Sequence, residues 1–264
     1  MSCAPDWYVL GQECPYGHKL VLDVTVPNDA DFWQMSSITY GLIPWILCLA
    51  LALLFLIYRG TRELSVALLP AITVGVNELI KRCVQQPRPI GSCLTTCGMP
   101  SSHSAVSMCL LVYLILDAAY RLDANGSRPT SLLPPISAIK EFLLKLGKGL
   151  VLLPFGSMSQ NEFSVYLTIW IPALIPVPIS RVLLNDHSAS QVLAGCIVGF
   201  VTGFLWFPIV LALRLKMEKV VGRKFLYIFV HNYDVPQGWK EIPVCDASKD
   251  PLVPVVDDTT QLSA

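Results

Sequence analysis

From residue 38 to residue 58 the chain carries no charged side chain. Crossing a hydrocarbon core takes about 20 helical residues, and inside it every backbone N–H and C=O must be bonded within the segment. This stretch is therefore predicted to be a transmembrane helix, closed by Arg59 and Arg62. The rest of the chain fits that setting. It is 53% hydrophobic and only 14% charged over 264 residues, with a mean hydropathy of +0.56, which is too apolar for an ordinary soluble domain. The formal net charge is zero, so no global field draws nucleic acid, and any anion must be bound locally. Residues 1–17 lack a basic segment followed by an apolar core, so the first span is expected to direct its own insertion.

Further spans follow from the same criterion. Residues 64–80 form a shorter apolar run that carries Pro70, Gly75, Asn77 and Glu78, and its polar end needs the interior of a bundle. A third span covers 104–120, with Asp117 and Arg121 at i,i+4 spacing. A fourth covers 164–179, broken by Pro172, Pro176 and Pro178, and a fifth covers 192–213. In the fifth, Gly195, Gly199 and Gly203 recur every four residues, a pattern that lets another helix approach closely. Between the third and fourth spans lie the sequon Asn125-Gly126-Ser127 and a segment near 138–152. That segment sets Ile139, Phe142, Leu143, Leu146 and Leu150 on one helical face and Glu141, Lys145 and Lys148 on the other, as in a helix lying in the membrane interface. The expected architecture is an all-α polytopic bundle of about five spans over 38–213, with an N-terminal cap over 1–37 and a polar tail over 214–264.

Three short elements carry the polar chemistry. In the first, six residues separate Lys81 from Arg88, with Pro87 and Pro89 flanking the arginine. Residues before proline leave the helical region, so the two cations are expected to converge on one anion from a helix end and a loop. Charges at such a helix end also commonly serve only as anchors. In the second, Pro100-Ser101-Ser102-His103 precedes the third span. Ser101 or Ser102 is a natural N-cap, and the free N–H groups of the first turn suit a phosphate. In the third, Ser180-Arg181 is followed by His187 and Gln191. Were the helix already formed at His187, the Gln191 amide oxygen would accept from one imidazole nitrogen and leave the other free as a nucleophile.

These elements share one membrane face only if an even number of crossings separates them. The third and fourth spans supply two, which requires the 138–152 helix not to cross. The cations near 59–62, 121–148 and 214–224 then lie on the opposite face, cytoplasmic by the positive-inside rule. The motifs and the cap would face the lumen or exterior, the tail the cytosol, and Asn125 would stay unglycosylated.

K-x6-R-P, P-S-x-H and S-R-x5-H together resemble the three-part signature of the type 2 phosphatidic acid phosphatase superfamily, over roughly residues 63–207. Within it, Asn77-Glu78, Gln86-Pro87-Arg88-Pro89, residues 98–104 and the segment from Ser180 to Leu193 look most like dolichyldiphosphatases. The resemblance implies a PAP2/haloperoxidase-like core and a phosphatase that needs no metal or other cofactor. His187 would attack phosphorus and form a phosphohistidine, and His103 would protonate the leaving oxygen. Lys81, Arg88 and Arg181, with Ser101, Ser102 and nearby backbone N–H groups, would hold the phosphoryl oxygens. Gln191 would orient the nucleophile. Many members have Gly at Ser102 and Asp at Gln191, so this chain departs from the commoner pattern at both; Asp186 is a substitute orienting group.

Implied too are a dolichyl diphosphate substrate held at the bilayer surface and an endoplasmic reticulum location with the site facing the lumen. The product would be carrier lipid returned for protein N-glycosylation. A broader lipid-phosphate or glucose-6-phosphatase-like enzyme is one alternative, and a catalytically silent lipid-binding scaffold is another. The retained histidines and cations speak against the scaffold. Nine cysteines cannot all pair. Cys48, Cys109 and Cys196 fall within spans, whereas Cys3, Cys14, Cys83, Cys93 and Cys97 lie outside them and can pair on an oxidising side. Cys93 and Cys97 alone are a weak metal signal, and a disulfide involving Cys83 or an N-terminal cysteine is the stronger expectation.

Overall fold

The computed structural model describes residues 3–20, 23–58, 61–122 and 158–221. The interfacial helix expected near 138–152, the sequon at Asn125 and the tail beyond residue 221 lie outside them. Among the described residues the elements are α1 (Asp6–Val9), β1 (Gly17–Leu20), β2 (Val24–Pro27), α2 (Phe32–Tyr58) and α3 (Thr61–Val84). They continue with α4 (Ser102–Tyr120), α5 (Gln160–Leu174), α6 (Pro176–Leu183) and α7 (Ala189–Val221).

Among the described residues, five segments are long and apolar enough to cross a membrane: residues 32–57, 62–84, 102–120, 160–183 and 189–212. The expected bundle is therefore present, with most boundaries extended by a few residues. The first span, α2, starts at Phe32, inside the segment read as cap. Phe32, Trp33 and Met35 are exposed there, as suits aromatic residues at a membrane surface. At the other end of the fourth span, Ser159 and Glu162 form a reciprocal capping box that starts α5. Pro172 is carried inside α5, whereas Pro176 stands at the first turn of α6 and divides the span. Proline has no N–H to donate and its ring clashes with the preceding turn.

The central helix is α4, whose apolar stretch is 67% buried, against 17% for that of α2. It packs most closely on α7, and the glycine stripe is the reason. A Cβ at Gly195, Gly199 or Gly203 would lie 2.5 Å, 2.2 Å or 2.5 Å from the carbonyl oxygen of Ser101, Ala105 or Cys109. Apolar side chains gain little from facing each other rather than lipid, so close backbone approach is what joins such helices. Leu193, Ile197, Phe200 and Phe204 on α7, like Ile46, Leu49 and Leu53 on α2, are exposed and form apolar outer faces.

At the end of the bundle away from the motifs, Asp117 is buried between Arg62 and Arg121. Arg121 Nε donates across 3.1 Å, and Arg62 Nη2 forms a second, shorter bond. The i,i+4 pairing of Asp117 and Arg121 is thus present, with a third charge arriving from α3. These two arginines are committed to a carboxylate and do not stand as free charges at a membrane surface.

At the motif end the cap is folded. An antiparallel hairpin pairs Lys19 with Thr25 and Leu20 with Val24. Two disulfides, Cys3–Cys97 and Cys14–Cys93, bind the cap to the loop that joins α3 and α4. Cys83 takes no part and is exposed. The hairpin is the only sheet among the described residues.

Candidate active site

The three elements meet at one end of the bundle. Helix α3 runs to Val84, and Gln85 breaks it at φ +48°. The chain then extends through Pro87 and Pro89, which sends Arg88 towards the turn between α6 and α7. There Arg88 Nη1 donates to the Asp186 carbonyl across 2.9 Å and lies 2.9 Å from His187 Nε2. A guanidinium has no acceptor. His187 Nε2 therefore accepts, and the neutral ring carries its proton on Nδ1. That Nδ1 is buried without a partner among the described residues. Arg88 is anchored on its other edge by Thr96, through Nε to the carbonyl at 2.8 Å and Nη2 to the hydroxyl at 3.0 Å.

Electrostatics keep His187 neutral. Burial, followed by repulsion from Arg88, Arg181, His103 and Lys81, holds its pKa well below the ordinary histidine value. Burial also draws Arg88 down to about 10, against the opposing pull of Asp186. His187 thus presents an unprotonated ring nitrogen whose lone pair is directed at the Arg88 guanidinium.

Two expected contacts are not made. Gln191 does not bond His187, because α7 begins at Ala189 and His187 stands in the turn before it, off the helical i,i+4 geometry. The Gln191 amide serves the loops instead. Its Nε2 donates to the Pro87 carbonyl at 2.8 Å, its Oε1 accepts from Ser188 N at 3.2 Å, and its own carbonyl accepts from Ser101 N at 3.1 Å. Gly98 makes room for it, since a Cβ there would lie 2.6 Å from the amide. Ser101 does stand at the N-cap of α4, but its side chain caps nothing. Its hydroxyl accepts from Ser104 Oγ at 3.1 Å.

Ser102 opens α4, and its hydroxyl accepts from Asn77 Nδ2 at 2.8 Å; the same amide nitrogen lies 3.0 Å from the Pro100 carbonyl. Buried Asn77 thus ties α3 to the start of α4, which explains a polar residue inside that span. His103, also buried, accepts at Nε2 from Trp45 Nε1 of α2 at 3.0 Å. Lys81 is mostly buried and pairs with Glu78 across 2.6 Å. Arg181 is fully buried, pairs with Asp186 at 2.8 Å and donates to the Asp23 carbonyl at 2.6 Å. Its Nε and Nη1 have no partner among the described residues.

Two cavities adjoin these groups. A polar one of about 380 Å³ is lined by Lys81, Glu78, Gln85 and Thr96, so Thr96 links the Lys81 side of the site to Arg88. An apolar one of about 390 Å³ lies among α2, α3 and α4, with Trp45, Cys48, Pro70 and Val74 on its walls and Ser102 and His103 at its polar margin. The described residues contain no group of three or more His, Cys, Asp or Glu placed to share a metal ion. Asn77, Thr96, Trp45 and Thr25 escaped the sequence reading as site residues. Only Asn77 and Trp45 left a signal there, each being a hydrogen-bonding side chain set in an apolar span.

A family model described as PAP2 superfamily matches residues 62–214. Dolichyldiphosphatase 1 of Homo sapiens is 33% identical over 142 residues, covering 52% of this chain and 48% of that protein. The Callithrix jacchus protein of the same name gives the same figures. That of Dictyostelium discoideum is 24% identical over 197 residues, 74% of this chain and 69% of its own. The chain therefore spans about half the length of the mammalian relatives it matches. No solved structure matches.

Proposed function

The chain belongs to the PAP2 superfamily, and from that premise we propose that it is a phosphatase of the endoplasmic reticulum that hydrolyses dolichyl diphosphate. The observation that carries this reading is the 2.9 Å contact between Arg88 Nη1 and the acceptor nitrogen of a buried, neutral His187. When a diphosphate enters, Arg88 moves its N–H to a phosphoryl oxygen, and Nε2 attacks the terminal phosphorus. The bond from phosphorus to the bridging oxygen breaks, a phosphorus–nitrogen bond forms, and dolichyl phosphate leaves with a proton from His103. Water then attacks the phosphohistidine, gives its proton to His103, releases phosphate and restores the imidazole. Lys81, Arg181 and the first-turn N–H groups of α4 from Ser102 onward oppose the charge on the phosphoryl oxygens.

The apolar cavity beside Ser102 and His103 favours a substrate whose leaving group carries a hydrocarbon chain. The two disulfides at this end of the bundle favour its exposure to an oxidising compartment, here the lumen, with the tail cytosolic. The product serves as carrier lipid for N-glycosylation. Purified chain assayed against dolichyl diphosphate, phosphatidic acid and glucose 6-phosphate, without added metal, tests the substrate. Faster release of phosphate from glucose 6-phosphate refutes it. An active His187→Ala protein refutes the nucleophile.

A further inference from the structure

The residues that hold the His187 turn come partly from the N-terminal hairpin, which lies outside the matched residues 62–214. Asp186 is fully buried and needs donors for its carboxylate. Arg181 supplies one; Thr25 supplies two, its N–H to Oδ2 at 3.2 Å and its hydroxyl to Oδ1 at 2.5 Å. The same hydroxyl accepts from Cys93 N at 3.2 Å. A hydroxyl has one proton to give, so the Cys93 N–H turns that proton onto the carboxylate. Cys93 is in turn bonded covalently to Cys14 of the cap. One buried side chain thus joins the cap, the loop that carries Arg88 and the turn that carries His187. The other end of Asp186, its carbonyl, is the acceptor for Arg88 Nη1. Both Asp186 N and His187 N donate to the Arg181 carbonyl, at 3.1 and 3.2 Å.

We propose that Thr25 is a positioning residue for the phosphoryl transfer. By pinning the Asp186 carboxylate against Arg181, it keeps that carboxylate off His187 and holds the Asp186 carbonyl and the His187 ring in register with Arg88. This rests on the phosphatase reading above. It adds that the site is incomplete without the hairpin, although the family model begins beyond it.

The test compares full-length Thr25→Val, Thr25→Ala and Thr25→Ser with wild type. Valine keeps the shape and removes the hydroxyl; serine keeps the hydroxyl. Thr25→Val is expected to lower kcat/KM for dolichyl diphosphate by about tenfold or more, the loss of one hydrogen bond to a charged group. Thr25→Ser is expected to stay within about threefold of wild type. The second readout is the titration of the His187 imidazole by NMR, which needs no turnover. The groups that face His187 are Arg88 from the loop, Arg181 from α6, Lys81 from α3 and His103 from α4; all are cationic or ionisable to cations, so a released Asp186 carboxylate shifts the titration to higher pH. Identical titration and kcat/KM in Thr25→Val overturn the proposal. So does an equal loss in Thr25→Ser, or failure of both Val and Ala variants to fold while Ser folds. A wild-type chain that leaves dolichyl diphosphate intact overturns the substrate reading alone, and the His187 titration still decides the role of Thr25.

Discussion

Arg88 Nη1 donates to His187 Nε2 across 2.9 Å, so a cation occupies the lone pair on which the proposed chemistry depends. In the proposed mechanism the contact holds the ring in its reactive tautomer and also blocks it, and an arriving phosphoryl group relieves the block by taking the same N–H.

Replacing Arg88 should therefore cost more than one phosphate contact. Arg88→Gln is expected to lower kcat/KM by about 10²–10³, the range for loss of one preorganised donor to a developing oxyanion. Arg88→Lys is expected to recover little of this, since an ammonium cannot reach Thr96, Asp186 and the substrate as a planar fork does. Steady-state rates of phosphate release on the purified variants check both.

The pH profile follows from the same environment. In the proposed mechanism His187 attacks only when neutral, and burial with its cationic neighbours holds its pKa well below the ordinary value of 6.5. The acid limb of kcat/KM, which reports the free protein, is expected below that value. The sign for stability is also defined. An unfolded chain binds a proton at this histidine below about 6.5 while the folded chain does not, so stability is full above that pH and falls as pH drops towards the folded pKa. Rates and thermal midpoints measured from pH 7.5 down to 5 test both statements.

Trp45 lies outside the matched residues yet bonds the proposed acid, His103, at 3.0 Å. Trp45→Phe keeps an aromatic wall on the apolar cavity and removes the donor. A lost neutral hydrogen bond of about 0.5–1.5 kcal/mol corresponds to a fall in kcat of about 2- to 12-fold, with little change in KM. A change confined to KM would instead make Trp45 a cavity wall only.

Gly199 tests the α4–α7 contact. A Cβ there would stand 2.2 Å from the Ala105 carbonyl oxygen, which is backbone and cannot turn aside. Gly199→Ala is expected to cost about 1–3 kcal/mol, read as a lower thermal midpoint in detergent. Gly75→Ala on α3 meets nothing within 4 Å and is the control expected to show no loss.

Much of this molecule was legible in one sequence. The spans came from runs without charge, and their ends from the cost of placing Lys81 or Arg88 in hydrocarbon. The glycine stripe announced a close helix contact, although not that α4 was the partner. Motif spacing named Lys81, Arg88, His103, Arg181 and His187 as one group, and the structure places Arg88 against His187 directly. The Gln191 contact was misread, because i,i+4 spacing brings side chains together only inside a helix, and the helix starts two residues too late. A disulfide from an N-terminal cysteine was expected, but Thr25, Thr96 and the pairing of Cys3 with Cys97 and Cys14 with Cys93 were not legible, since neither a threonine in a polar segment nor a cysteine carries its partner in its neighbours.

What the sequence alone determined is therefore the membrane bundle and the composition of its polar end. Both follow from conditions met within a single segment: hydrocarbon thickness, internal bonding of the backbone, and exclusion of charge. Only the tertiary structure decided which groups touch. His187 meets Arg88 across 99 positions and Asp186 meets Thr25 across 161. Such contacts depend on how close the helices pack and on which loops are tied together, and no local pattern encodes either.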